Sequence, residues 1–397
     1  MAGKEHWVSV SWGDHLSFGE GDGRLDTPEK LKRRLDAWRE ELGARVVLWR
    51  ENRSRLGGWV YSGDEPPRRV MSPAVPWDDF ATVCEAAHRR EMRVYLYVTL
   101  FDEGWPLPPP AVRRISYHNA YHARDVSWQS DFSRRHPEYA VTDRSGRKRQ
   151  WGVLCLAYPE VRGEFRRRFR GLLSQGDFDG LFVCLRSQSK PAAHADEFGF
   201  NPPVVAEYRR RHGVDIRRDP FDVQAWRDLL GDFLTLFLEE LREDLDRRRL
   251  HLAVGVPRGR IIGPPIGNWT LAWDDWLRRG LVDELVVDQD STRCPSTWLD
   301  LWPMHRGRGY LEPFREKRRP LRKELQLEYL PVVRKSRCRL LLARQWYPRD
   351  ELEEQALLEE EGVGGLVFSS FRHDNPDVVA RNDWRPRHER IRSENVA

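Results

Sequence analysis

Asp288 and Asp290 follow an apolar run, residues 284–287, and stand two positions apart, so an extended chain turns both to the same side. Burial against such a run raises a carboxyl pKa. Glu51 follows a second run, 45–49. Asp102 and Glu103 follow a third, 92–100, and Asp14 follows the first, 6–12. Two carboxyls across a glycosidic bond are what its hydrolysis requires: one protonates the leaving oxygen, the other attacks or activates water. Asp288, Asp290, Glu51 and Asp102 are therefore the candidate catalytic residues. Plainer uses compete. Asp288 and Asp290 can cap a turn before Ser291 and Thr292, Glu51 can pair with Arg50 or Arg53, and Asp102 and Glu103 can lie in a solvated loop.

Arginines recur at the same places. Arg50, Arg186, Arg258, Arg344 and Arg372 each fall at or just beyond the end of an apolar run. The guanidinium fork binds carboxylate or sulfate through two hydrogen bonds, so arginines converging on one pocket would select an anionic substrate. With 67 Lys and Arg in 397 residues, even mixing places roughly three at eight strand ends, so five is a modest excess. Pairing with nearby Asp and Glu is the alternative. Tryptophan is also over-used, 17 against 11 tyrosines, and Trp on a loop is often a stacking platform for a ligand. Trp12, Trp49, Trp105 and Trp346, with Lys190 and Gln345, complete the candidate substrate-binding set.

Other chemistries lack their signatures. His15, His118, His122, His194 and His373 show no HExxH spacing, and no metal is expected. There is no GxGxxG or GxxxxGK[ST] phosphate loop, and Ser187 and Ser189 lie in no GxSxG elbow. Cys84, Cys155, Cys184, Cys294 and Cys338 are odd in number and scattered without a CxxC pair, which predicts reduced thiols rather than a disulfide framework or a zinc site. No cofactor is expected.

The elements that must position these residues alternate along the chain. Eight apolar runs, at 6–12, 45–49, 92–100, 180–185, 251–256, 284–287, 339–343 and 363–369, have the length and composition of buried parallel strands. Amphipathic helical stretches separate them, at 77–90, 159–175, 221–249, 271–279 and 349–362. Another follows Thr27, with Pro28 at the first helical position and Gly43 beyond the end. Eight alternations predict an α/β fold, a single (β/α)8 barrel with long βα loops, over residues 1–375 and a polar tail over 376–397. A barrel presents functional groups at the C-terminal ends of its strands, where the residues above stand. The loop over 101–151 is long enough to be functional.

Composition supports a packed core: 40% of residues are hydrophobic, and no run approaches 18 apolar residues. The net charge of +5 is spread over interspersed charges rather than a basic stripe. Neither nucleic acid nor membrane is an expected partner, and a homo-oligomer is left open. The N-terminal MAGKEHWVSV has no signal-peptide core, which predicts a cytoplasmic protein.

Several phrases carry a resemblance: HPEY at 136–139, YPEVRG at 158–163, FDG at 178–180, FGFN at 198–201 and WDDWLRRGLVDELVV at 273–287. In this order and spacing the chain resembles the bacterial family-10-like glycosyl hydrolase group. The resemblance implies a (β/α)8 barrel that hydrolyses carbohydrate. It also implies an aspartate at the end of the fourth strand, where this chain reads DGLFVCLR and places Cys184. A thiol is a poor substitute for a carboxylate. Two other readings therefore stand beside the hydrolase: a lyase or isomerase acting on an acidic sugar, and a carbohydrate-binding barrel without catalysis.

Overall fold

The computed structural model describes residues 4–10, 25–54, 56–62, 68–73, 75–104, 106, 126–185, 198–262, 269–287, 320–344 and 351–370, with backbone alone at 60–62, 126–128, 344, 351–354 and 369. Eight strands form a closed barrel: β1 (His6–Val10), β2 (Ala44–Arg50), β3 (Arg93–Thr99), β4 (Gly180–Cys184), β5 (His251–Gly255), β6 (Glu284–Val287), β7 (Arg339–Arg344) and β8 (Val363–Ser369). Each pairs in parallel with its sequence neighbours, and β1 closes the ring against β8 through Trp7 opposite Val367. The expected (β/α)8 barrel is the fold.

Flanking helices are α1 (Pro28–Leu42), α2 (Asp79–His88), α3 (Pro159–Leu173), α4 (Pro202–His212), α5 (Val223–Asp246), α6 (Trp273–Arg278) and α7 (Glu351–Glu359). Local chemistry sets their ends. The Thr27 side chain accepts from Lys30 N at the start of α1, Pro28 occupies its first turn, and Gly43 ends it at φ 62°, a conformation only glycine adopts cheaply. A further helical run, Leu321–Val333, is π-helical through its middle, Leu325–Tyr329.

Alternation along the strands splits the apolar residues into two cores. Trp7, Val46, Leu48, Tyr95, Tyr97, Phe182, Cys184, Ala253, Val286, Leu341, Ala343 and Val367 fill the barrel. Their strand neighbours, such as Val47, Trp49, Val94, Leu96 and Val183, pack outward against the helices. That two-sided burial is why the runs are continuous rather than alternating in polarity. Inside, Trp7 meets Tyr95 edge-on at 5.2 Å and Tyr97 meets Phe182 at 5.0 Å.

The long βα connections carry structure of their own. Trp59–Ser62 pairs antiparallel with Arg68–Arg69 and with Val126–Gln129, which links the loops after β2 and β3. Ala140–Thr142 pairs with Arg149–Leu154, and Ile261–Ile262 with Trp269–Thr270. No helix among the described residues is long and apolar enough to cross a membrane. Cys84, Cys155, Cys184 and Cys338 are buried free thiols; burial pushes Cys84 and Cys155 up to about 12.

Candidate active site

The C-terminal end of the barrel is built first from strand parity. Val46 and Leu48 point inward, so Arg50 at the end of β2 points inward as well. On β3, Tyr95 and Tyr97 point inward, and Thr99 continues that side. Arg50 Nη2 donates to Thr99 Oγ1 at 2.8 Å, and its guanidinium lies 5.1 Å from the Tyr97 ring centroid. Asp102 is 6% exposed, with Oδ2 3.7 Å from Arg50 Nη2. Among the described residues, Arg50 Nη1 is buried without a hydrogen-bond partner. A donor in that state costs about 1–3 kcal/mol until something accepts from it.

Cys184 ends β4, fully buried and facing the interior, opposite Thr99 on β3 and Gly255 on β5. The position where the resemblance implies a carboxylate thus holds an apolar thiol. Beside it, the mouth is small and uncharged at Gly255 and Ala343.

Other predicted residues sit differently. Trp49 is corrected: its ring is 0% exposed on the outside of the barrel wall, and Nε1 donates to Asp79 Oδ2 at 2.8 Å, so no face is left for a sugar. Glu51 is tied locally. Its Oε2 accepts from Arg53 N and Ser54 N, each at 2.8 Å, and Oε1 accepts from Ser54 Oγ. It closes the turn after β2 rather than facing a partner carboxyl. Arg258 is engaged by Glu324 from the helical run after β6, Nε donating to Oε2 at 3.0 Å, so its charge is already answered within the fold. Glu103 is likewise held, with Arg168 donating from α3 to both oxygens at 2.6 and 3.1 Å.

Arg344 is described in backbone only. Asp288, Asp290, Arg186, Lys190, Arg372, Trp12, Trp105, Trp346 and Gln345 lie outside the described residues. Of the predicted set, the structure brings together Arg50 and Asp102. Thr99, which orients Arg50, was missed; its signal was the parity of β3.

The phrases behind the resemblance turn out to position the loops. Asn201 of FGFN is fully buried: Oδ1 accepts from Thr142 N at 3.1 Å and Nδ2 donates to Ala140 O at 3.0 Å. It therefore holds the strand that follows HPEY. Tyr139 packs against Phe132, His136 and Tyr158, the last opening YPEVRG. At the opposite end of the barrel, Asp179 of FDG accepts from Val94 N at 2.7 Å and from His88, and Asp283 of VDE accepts from Leu252 N at 2.7 Å. Each aspartate ties the start of one strand to its neighbour.

No family model matches the chain, and no curated protein matches it. Among solved structures, an alpha-L-fucosidase isoenzyme from Paenibacillus thiaminolyticus is similar at TM-score 0.47 and 10% identity, over 99% of this chain and 50% of that one. A maltogenic alpha-amylase from Thermotoga neapolitana is similar at TM-score 0.47 and 12% identity, over 99% and 77%. A GH36 alpha-galactosidase from Geobacillus stearothermophilus gives TM-score 0.45 and 9% identity, over 98% and 42%. The chain spans about half the length of the fucosidase and less of the galactosidase.

Proposed function

We propose that the chain is a glycoside hydrolase of the family-10-like kind, acting at the C-terminal end of the barrel on a carbohydrate that carries an anionic group, a uronate or a sulfated sugar. The observation that carries this reading is the buried Arg50–Asp102 pair, with Arg50 Nη1 left open for an acceptor. In the proposed mechanism Asp102 is one of two working carboxyls. Asp288 or Asp290, which follow β6 in the sequence, supplies the other. β3 and β6 stand three places apart in the eight-strand ring, nearly opposite, which suits groups that work on two sides of one bond. One carboxyl protonates the leaving oxygen while the other attacks the anomeric carbon or activates water. Arg50 fixes the anionic substituent, and tryptophans on the loops stack on sugar faces.

The test is steady-state turnover on a panel of neutral, uronate and sulfated glycans. Asp102→Asn, Asp288→Asn and Asp290→Asn remove one ionisable group each. Loss of a working carboxylate lowers turnover by at least about 100-fold. Cys184→Ser should change it far less. Near-normal rates in all three aspartate variants, with Cys184→Ser inactive, would place the chemistry on another strand.

A second reading is favoured by Cys184, an uncharged group at the end of β4. A lyase or isomerase on an acidic sugar needs no second carboxylate at hydrolase spacing. Reaction in ¹⁸O-labelled water separates the two: a hydrolase transfers the label into its product at each cleavage, and a lyase does not. A barrel that only binds carbohydrate gives no product on any glycan.

A further inference from the structure

At the N-terminal end of the barrel, away from Arg50 and Asp102, three groups with metal-ligating atoms meet. His251 opens β5, Glu284 opens β6 beside it, and Asp283 precedes Glu284. One ligand atom from each lies within 4.8 Å of the others. His251 Nδ1 is 3.1 Å from Glu284 Oε1. Two ligands on one ion at bond lengths of about 2.0–2.2 Å stand roughly 3–3.5 Å apart, so this spacing needs little adjustment.

A second observation is independent of that proximity. Glu284 is 3% exposed; Tyr95 donates to its Oε1 at 3.0 Å, but Oε2 is buried and meets no donor among the described residues. A bare carboxylate oxygen in a protein interior calls for a cation or an ordered donor. On Asp283, Leu252 N and Arg242 both donate to Oδ2, at 2.7 and 2.6 Å, and no described residue donates to Oδ1.

The arginines nearby already have partners. Arg93 and Arg339 share Glu5, one on each carboxylate oxygen, and Arg242 is divided between Asp283 and Asp246. Four carboxylates, Glu5, Asp246, Asp283 and Glu284, therefore outnumber the three guanidiniums by one, with the His251 imidazole beside them. The side chains of His251 and Asp283 are 46% and 39% exposed, so an ion can enter from solvent and keep a water as its fourth ligand.

We propose that His251, Asp283 and Glu284 form a binding site for one divalent transition-metal cation, with zinc the best match to one imidazole and two carboxylates. The ion would clamp the start of β5 to the start of β6. Its place at the N-terminal face assigns it a structural role. The site stands independently of the proposed hydrolase activity.

The test uses the full chain, stripped with EDTA and dialysed, then titrated with zinc chloride by calorimetry and followed by thermal unfolding. One ion per chain should bind saturably. At a hundredfold excess over Kd it should raise Tm by about 3 °C. His251→Gln changes a half-exposed side chain and should leave the fold intact while weakening binding at least tenfold; Glu284→Gln should do the same. If Glu284→Gln does not fold, His251→Gln with Asp283→Asn decides the matter. Absence of saturable binding, or binding and a Tm rise that survive both folded variants unchanged, overturns the proposal.

Discussion

Arg50 and Asp102 stand 3.7 Å apart, within ion-pair reach, while Arg50 Nη2 also donates to Thr99 Oγ1. Arg50→Ala removes the open Nη1 donor. A charge-assisted hydrogen bond contributes about 1.5–3 kcal/mol, so kcat/KM on an anionic glycan should fall roughly 10- to 150-fold. The neutral analogue should lose much less. Equal losses on both substrates would show that Arg50 only holds the mouth together. Arg50→Lys should rescue poorly, because an ammonium cannot serve Thr99 and an anion in the planar geometry of the fork.

Arg166 and Asp244 join α3 to α5 by two parallel hydrogen bonds, 2.7 and 3.0 Å, with the Asp244 side chain 1% exposed. Donation by Arg166 holds the Asp244 carboxyl below the usual carboxylate range. Its stabilising contribution is thus fully present above the unfolded-state pKa, about 4, and is lost as pH falls through the lower folded value. Asp244→Asn should destabilise by about 1.5–3 kcal/mol at neutral pH in urea unfolding. That difference should shrink below about pH 4; a gap that widens in acid would contradict the assignment.

Gly231 lies inside α5, where helix propensity alone favours alanine by about 1 kcal/mol. A Cβ there would sit 2.3 Å from Thr270 O, a backbone atom of the hairpin packed on the helix. Overpacking of this kind costs about 1–3 kcal/mol, so the sign reverses. Gly231→Ala should lower Tm, and a higher Tm would mean that the hairpin yields freely.

Asn201→Ala orphans Thr142 N and Ala140 O together, at roughly 1–3 kcal/mol for each buried group. The loss should be local. Limited proteolysis is expected to cut within 136–154 faster than in the parent chain, while the barrel amides keep their hydrogen-exchange protection.

All eight barrel strands were legible because burial on both sides makes each one a short, uninterrupted apolar run. α1 was legible from its cap, proline and glycine. α4 was not: two prolines open it and an Arg-rich end closes it, so the helical period is masked. The hairpins were missed because all but one of their strands, Arg149–Leu154, are only two to four residues long and carry too few side chains to show a period of two. At the site, position along a strand was readable and partnership was not. Arg50 and Arg258 look alike in sequence, yet one faces the mouth with a free donor and the other is bound to Glu324, a residue brought close only by the fold. Trp49 failed for a simpler reason: it is one residue from Arg50, and that single step turns it to the other side of the wall.

The pairing of β1 with β8 has a consequence for how this molecule is made. Trp7 leaves the ribosome 360 residues ahead of its partner Val367, a lead of tens of seconds at about 5–20 residues per second. Throughout that interval β1 has β2 on one side and an unsatisfied row of peptide groups on the other. The growing chain is for that time an open, curved sheet with an adhesive edge, and its safety against pairing with other nascent chains depends on how quickly the last strand arrives.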